Sequence, residues 1–340
     1  MANQAPSTHK AWQYTSTSGG LEKNLKLNPF VQTPTPAQDQ HLVKIIATAL
    51  NPIDYKPASI PFVGRFLRPK FATPCSDVAG RIVTPARGSS LKPGQLVFGV
   101  SGKSPIAGGG LSEYALCQHD HVVAIPEGIE PKNAACVPVA ALTAYQTIVP
   151  KVKSGDRIFI NGGSGGTGIF GIQVAKAVGC YVITSCSTPN VELCKSLGAD
   201  EVIDYRKQNV IDTLAAKDVK LDHLVDNVGE DPKLYWMSHR FTKPEAEYIM
   251  VGGWISFTST INLLKIKFLP KFLGGGQRKY SGFFTKASTQ DLNHVAEWMV
   301  AGKVRAVIDQ EFSFEQAPAA FERLKTGRAK GKILISVSSD

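Results

Sequence analysis

The stretch from Arg157 to Gly168 reads R-I-F-I-N-G-G-S-G-G-T-G, an apolar run that breaks into glycines and then opens a helical pattern. Gly163, Gly165 and Gly168 stand at G-x-G-x-x-G spacing, and Gly162 and Gly166 loosen the turn further. Glycines remove the Cβ atoms that would keep an anion away from the backbone. The N–H groups of a first helical turn lack intrahelical acceptors and sit at the positive end of the helix dipole. A turn of this kind holds a dinucleotide pyrophosphate, here through Gly163, Ser164, Gly165, Gly166 and Thr167. A glycine-rich turn alone has the plainer reading of a chain reversal. The strand before it, the helix after it and the strand–helix–strand unit that follows favour the cofactor.

The end of the next strand bears on which dinucleotide is bound. An NAD site commonly places Asp or Glu there to accept from the ribose 2′-OH. This chain has Thr184-Ser185-Cys186-Ser187-Thr188, without a carboxylate, followed by Pro189 and Asn190. Ser187 and Asn190 therefore surround a helix start suited to a 2′-phosphate. Tyr205 and Arg206, after the third strand, are placed to stack on adenine or pair the phosphate. Simple N-capping by Thr188 fits either cofactor; the absent carboxylate favours NADPH.

Other chemistries are poorly supported. The six cysteines, at 75, 117, 136, 180, 186 and 194, form no C-x-x-C pair, so no closed zinc site and no disulfide framework is expected. Met1–Thr8 is polar, which with free thiols suggests a cytoplasmic, reducing setting. The net charge of +10 comes from Lys and Arg spread along all 340 residues. No dense run or aromatic interleaving marks a nucleic-acid partner. No stretch reaches the roughly 20 uninterrupted apolar residues of a membrane span.

The elements that must position these residues fall into two kinds. The first third reads as short strands at Leu42–Leu50, Val78–Val83, Leu96–Val100 and Leu111–Cys117, separated by Gly/Pro turns. A helix is expected over Ala134–Gln146. From Arg157–Asn161 onward strands and helices alternate: helix Ile169–Val178, strand Tyr181–Ser185, helix Val191–Leu197, then strands at Glu201–Ile203, His223–Asp226, Trp254–Phe257 and Gly282–Thr285. Helix Thr289–Ala301, strand Ala306–Asp309, helix Ala317–Leu324 and strand Lys332–Val337 follow. The expected class is α/β: a doubly wound parallel sheet at 130–284, inserted into a β-rich partial barrel made of 1–129 and 285–340.

The series Asn51-Pro52-Ile53-Asp54-Tyr55-Lys56, Asp77-Val78-Ala79-Gly80, Leu142-Thr143-Ala144-Tyr145, Gly162–Gly168 and Asp226-Asn227-Val228-Gly229 resembles the zinc-free quinone-oxidoreductase branch of the medium-chain dehydrogenases/reductases. The closing Gly327–Ile333 is similar too, and Cys186-Ser187-x-x-Asn190 also looks like fungal trans-acting enoyl reductases. The resemblance spans nearly the whole chain in order. It implies a Rossmann sheet inserted into a GroES-like domain. It places Asn51 and Lys56 near the nicotinamide, Thr143 near its ribose or carboxamide, and Ser164–Thr167 on the pyrophosphate. Ser187, Asn190 and Tyr205 are implied for the adenosine phosphate, and Asn227 for the cofactor groove. Phe283 and Phe284 are implied to bring backbone groups to the carboxamide, and Lys332 to reach the cofactor.

Asn51 stands where zinc members carry a ligand Cys, and Cys75-Ser76-Asp77 where they carry Gly-His-Glu. The implied reaction is zinc-free hydride delivery from NADPH to a small apolar conjugated carbonyl or a quinone, as in natural-product pathways. Lys56 and Tyr55 are the candidate donors, with backbone N–H groups and water as alternatives. The other functional reading is a weakly or non-catalytic NADPH-binding protein that serves a membrane or trafficking partner. Ile261–Gly276, apolar and basic, is open to three readings: a substrate lid, a peripheral membrane contact, or a homodimer interface.

Overall fold

The computed structural model describes residues 5–60, 69–251, 257–270, 273 and 275–338. Two compact units emerge: Met1–Leu142 with Lys286–Asp340, and Thr143–Thr285.

In the second unit, the strand Arg157–Asn161 buries Ile158, Phe159 and Ile160 completely. A strand apolar on both faces belongs in the middle of a parallel sheet. It pairs with Tyr181–Cys186 on one side and Leu221–Asp226 on the other. Glu201–Asp204 completes one edge; Thr242–Met250 and then Lys279–Gly282 complete the other, all parallel. The order is that of a doubly wound nucleotide-binding sheet. The helix Gly166–Val178 lays Ile169, Phe170, Ile172 and Val174 into the core and ends at Gly179, whose φ of 96° only glycine adopts freely. Tyr235 meets Tyr248 and Tyr280 edge-on, each at 5.2 Å between ring centroids.

The first unit holds two sheets among the described residues. A small hairpin pairs Thr8–Gln13 with Lys26–Gln32. The larger, mostly antiparallel sheet runs in the order Ile308–Ser313, Lys332–Ser336, Gln40–Leu50, Asp77–Thr84, Leu96–Val100, Val122–Ala124, with Tyr114–Gln118 also on Gln40–Leu50. The two C-terminal strands pair parallel, joined by the helix Ala317–Lys325. The expected fold class is therefore observed.

Several elements differ from expectation. The helix expected over Ala134–Gln146 is two helices, Pro131–Ala135 and Pro138–Ile148. Pro138 cannot donate to the preceding turn and biases Val137 away from helical geometry. The strand expected at Trp254–Phe257 falls outside the described residues except for Phe257, which opens the helix Phe257–Phe268. Its place in the sheet is taken by Thr242–Met250, whose Pro244, Glu245 and Glu247 hide the strand pattern. The last strand is Lys279–Gly282 rather than Gly282–Thr285: it pairs in register with Glu247–Met250, and Tyr280 stacks on its partner Tyr248. On the helix Phe257–Phe268, Leu263, Leu264 and Phe268 are exposed while Ile266 packs on the core.

The Tyr248 hydroxyl donates to Asp226 Oδ2 over 2.5 Å inside this core. Tyr248→Phe should destabilise the protein by about 1–2 kcal/mol, read as a lower urea midpoint, because it removes one hydrogen bond to a buried carboxylate.

Candidate active site

In the second unit the glycine turn is held from below. Gly163 N donates to Ser185 O at 2.9 Å, and Gly162 N to Ser185 Oγ at 3.1 Å. The Ser185 hydroxyl donates to Asn161 Oδ1 at 2.5 Å, and Asn161 Nδ2 to Asp226 Oδ1 at 2.8 Å. The Val228 and Gly229 amides converge on the same Asp226 oxygen. Sequence reasoning placed Asp226 only within a family pattern; its role as the brace needed coordinates.

The turn has no room for side chains at two points. A Cβ on Gly163 would strike Thr184 Oγ1, and one on Gly168 the Gly162 carbonyl oxygen. Gly162 has φ +78°, a left-handed conformation. Gly165 caps the helix with no side chain of its own and accepts from Ile169 N, so the amides of 166–168 open the helix without intrahelical acceptors. Beside the turn, Asn190 Nδ2 reaches Ser164 Oγ at 3.0 Å and Ser187 Oγ at 3.2 Å, while Asn190 Oδ1 is buried without a partner. Both polar atoms of the Asn227 side chain are likewise buried and unpartnered. Unsatisfied buried amides next to a glycine cradle fit a site completed by a polar ligand. Tyr205 is 51% exposed, with the Arg206 guanidinium 5.7 Å from its ring centre.

The structure thus gathers Gly163–Thr167, Ser187 and Asn190 around one turn, with Asn227 against Gly162. Elsewhere in this unit the Thr143 and Thr285 hydroxyls share a short hydrogen bond. Phe283 N–H donates to Met250 O at 2.9 Å. Phe284 is 80% exposed.

In the first unit Asn51 begins a pair of short turns, Pro52–Asp54 and Pro57–Ser59, that carry Tyr55 and Lys56. Tyr55 packs among core side chains, and Lys56 is half-buried. Lys332 is 2% exposed, and its ammonium donates to Leu50 O, Asn51 Oδ1 and Asp77 Oδ2. Asn51 Nδ2 donates to Asp77 Oδ2 at 2.8 Å, and Asn51 N to Asp54 Oδ2 at 2.7 Å. Burial pushes the Asp54 carboxyl up to about 7; the Asn51 amide opposes this and the nearby Asp77 charge adds to it. Among the described residues, no group of three or more His, Cys, Asp or Glu side chains is placed to hold a metal ion. An open groove of about 480 Å³, lined by Ile46, Lys132, Glu311 and Phe314 among others, contains none of the expected site residues.

Residues 37–127 match the alcohol dehydrogenase GroES-like domain family, and residues 197–335 the zinc-binding dehydrogenase family. A trans-enoyl reductase of Aspergillus terreus is 46% identical over 353 aligned positions, covering 99% of this chain and 98% of its own length. The chain belongs to the medium-chain dehydrogenase/reductase superfamily. Within that superfamily, a 2-methylene-furan-3-one reductase of Solanum lycopersicum is 34% identical, covering 97% of this chain and 79% of its own. The quinone oxidoreductase of Coxiella burnetii superposes with a TM-score of 0.81 at 29% identity, over 97% of this chain and 99% of that one. The protein is accordingly an oxidoreductase of the enoyl-reductase and quinone-oxidoreductase type. Pyridine-nucleotide binding is the family expectation, and the braced glycine turn fits it.

Two measurements follow. Gly168→Ala should weaken NADP(H) binding at least about tenfold by calorimetry, because the new methyl forces the turn away from the Gly162 carbonyl. The second concerns Asp54, whose folded pKa of about 7 lies above its ordinary 3.8. The folded state then holds a proton that the unfolded chain releases, so stability should fall as pH rises across that window. Urea midpoints should decline from about pH 4 to pH 7, and Asp54→Asn should flatten the decline. Parallel profiles for the two proteins would show that the carboxyl is ionised throughout.

Proposed function

We propose that this protein is a cytoplasmic, NADPH-dependent, zinc-independent reductase that delivers hydride to the β-carbon of an enone or enoyl carbonyl, or to a quinone. The observation that carries the reading is the braced turn at 162–168 beside Asn190, with Ser187 rather than a carboxylate after the second strand. In this reading residues 130–284 form the nucleotide-binding domain, and 1–129 with 285–340 the catalytic one. The amides of Ser164, Gly166 and Thr167 hold the pyrophosphate, since those of Gly163 and Gly165 already donate to Ser185 O and Gly162 O. Ser187 and Asn190 take the 2′-phosphate, and Tyr205 and Arg206 cover the adenosine end. Thr143, Asn227 and the Phe283–Phe284 backbone orient the nicotinamide half.

When bound, reduced nicotinamide supplies the hydride; the protein supplies positioning and charge stabilisation. Negative charge that develops on the substrate oxygen calls for a fixed donor. Lys56 is the candidate for that role, as an ammonium on the loop that begins at Asn51. The buried Tyr55 serves as support for that loop. Zinc independence rests on donor chemistry. At the positions where zinc relatives carry ligands, this chain offers an amide and a carboxylate already joined to the Lys332 ammonium. The trans-enoyl reductase and 2-methylene-furan-3-one reductase relatives support a conjugated carbonyl as the acceptor.

NADPH oxidation against a panel of enones, enoyl thioesters and quinones tests this reading. Turnover with at least one class, and preference for NADPH over NADH, is expected. No turnover with any acceptor would leave the non-catalytic nucleotide-binding reading. Lys56→Ala, at saturating NADPH, should lower kcat by about a hundredfold or more, the scale of a lost general acid, with NADPH affinity changed far less. An unchanged kcat would remove Lys56 from the chemistry.

A further inference from the structure

The Asn51 side chain is held at both ends by charge. Its oxygen accepts from the Lys332 ammonium at 2.5 Å, and its nitrogen donates to Asp77 Oδ2 at 2.8 Å. Lys332 and Asp77 also meet directly at 3.0 Å. An amide turned end for end would set its N–H groups against an ammonium and its oxygen against a carboxylate, two contacts with the wrong polarity. The orientation is therefore single. One hydrogen on Asn51 Nδ2 goes to Asp77, and the amide carries a second.

Three further features bear on the purpose of this arrangement. Buried ion pairs are rarely the most stabilising filling for a core, since desolvation offsets their attraction. Here a lysine and an aspartate at 2% and 0% exposure converge on the one amide that opens the Lys56 loop. Asp77 is fixed in turn by Val139 N, which donates to its second oxygen at 2.8 Å. Shortly before it, Cys75 has φ +73°, the sole non-glycine residue with positive φ among those described. Backbone strain is thus tolerated at the point that delivers Asp77.

We propose that Lys332 and Asp77 are positioning residues. They fix the Asn51 amide so that its second Nδ2 hydrogen is a preorganised donor to the carbonyl oxygen of the substrate, a second donor in addition to Lys56. Lys332 then acts through Asn51 rather than as a ligand of the cofactor. Charge that builds on the substrate oxygen meets a donor needing no reorientation. The inference rests on the reductase reading above, and its test separates the two.

The test uses the charge-balanced variant Lys332→Met/Asp77→Asn, because removing one partner alone leaves a buried unpaired charge. The amide nitrogen introduced in place of the Asp77 carboxylate oxygen favours the Asn51 oxygen, which turns the Asn51 side chain around. Relative to wild type, the double variant should keep NADPH affinity within about twofold by calorimetry and lose about tenfold or more in kcat, the lower range for a lost transition-state donor. Adding Asn51→Ala should cost nothing further. A kcat within about twofold of wild type, or losses that multiply in the triple variant, would overturn the assignment.

Nuclear magnetic resonance supplies a readout independent of turnover. The Asn51 Nδ2 signals, assigned by their loss in Asn51→Ala, should be well separated and exchange-protected in wild type. Averaged or unprotected signals would overturn the assignment even if the double variant failed to fold. A wild-type protein with protected Asn51 signals but no turnover on any acceptor would instead refute the reductase reading.

Discussion

One carboxylate organises the nucleotide side of this protein. Asp226 ends a central strand and receives Asn161 Nδ2, the amides of Val228 and Gly229, and the Tyr248 hydroxyl. Through Asn161 it reaches Ser185, and through Ser185 the first two amides of the glycine turn. The C-terminal ends of four adjacent strands are thereby tied to one buried anion. The amides that follow the turn are left pointing outward at the head of a helix. Glycines permit the shape; this polar brace gives it a fixed position. That distinction separates a binding turn from a flexible one.

The other unit uses the same device with opposite sign. Its organising group is a buried ammonium, Lys332, which gathers Leu50, Asn51 and Asp77 from two strand ends. Side-chain hydrogen bonds take up the Asn51 oxygen and the Asp77 carboxylate at this point of the fold. Asp54 lies at the margin of the cluster, where burial favours its neutral form and limits the net charge the core must accommodate.

Much of this architecture was legible in the residues. The glycine turn, the apolar strand Arg157–Asn161, the strand read at His223–Asp226 and the helix stop at Gly179 carry local signals that no tertiary contact overrides. The fold class followed from their alternation. Thr242–Met250 was not legible, because it carries Pro244, Glu245 and a Glu247 whose partners, Lys151 and Lys279, lie on other elements. Pro138 was an overlooked local signal rather than a hidden one. Within the site, residue types pointed to the turn and the Ser187–Asn190 loop. The Asp226 and Lys332 networks join residues as far apart as 51 and 332 and show only when the chain is folded. Lys332 is an example: the family resemblance implied a reach toward the cofactor, and the structure adds that its ammonium donates to Leu50 O, Asn51 Oδ1 and Asp77 Oδ2.

In the proposed reading the braced turn at 162–168 grips a dinucleotide and the neighbouring loop favours a 2′-phosphate. The most direct measurement is a calorimetric titration of the purified wild-type protein with NADPH and, separately, NADH. A one-to-one, micromolar or tighter isotherm for NADPH, at least about tenfold stronger than that for NADH, is predicted; tenfold corresponds to about 1.4 kcal/mol, a modest yield for one phosphate with charge-assisted partners. Absence of heat with both nucleotides would contradict the account at its base, and equal affinity for the two would remove the phosphate loop from it.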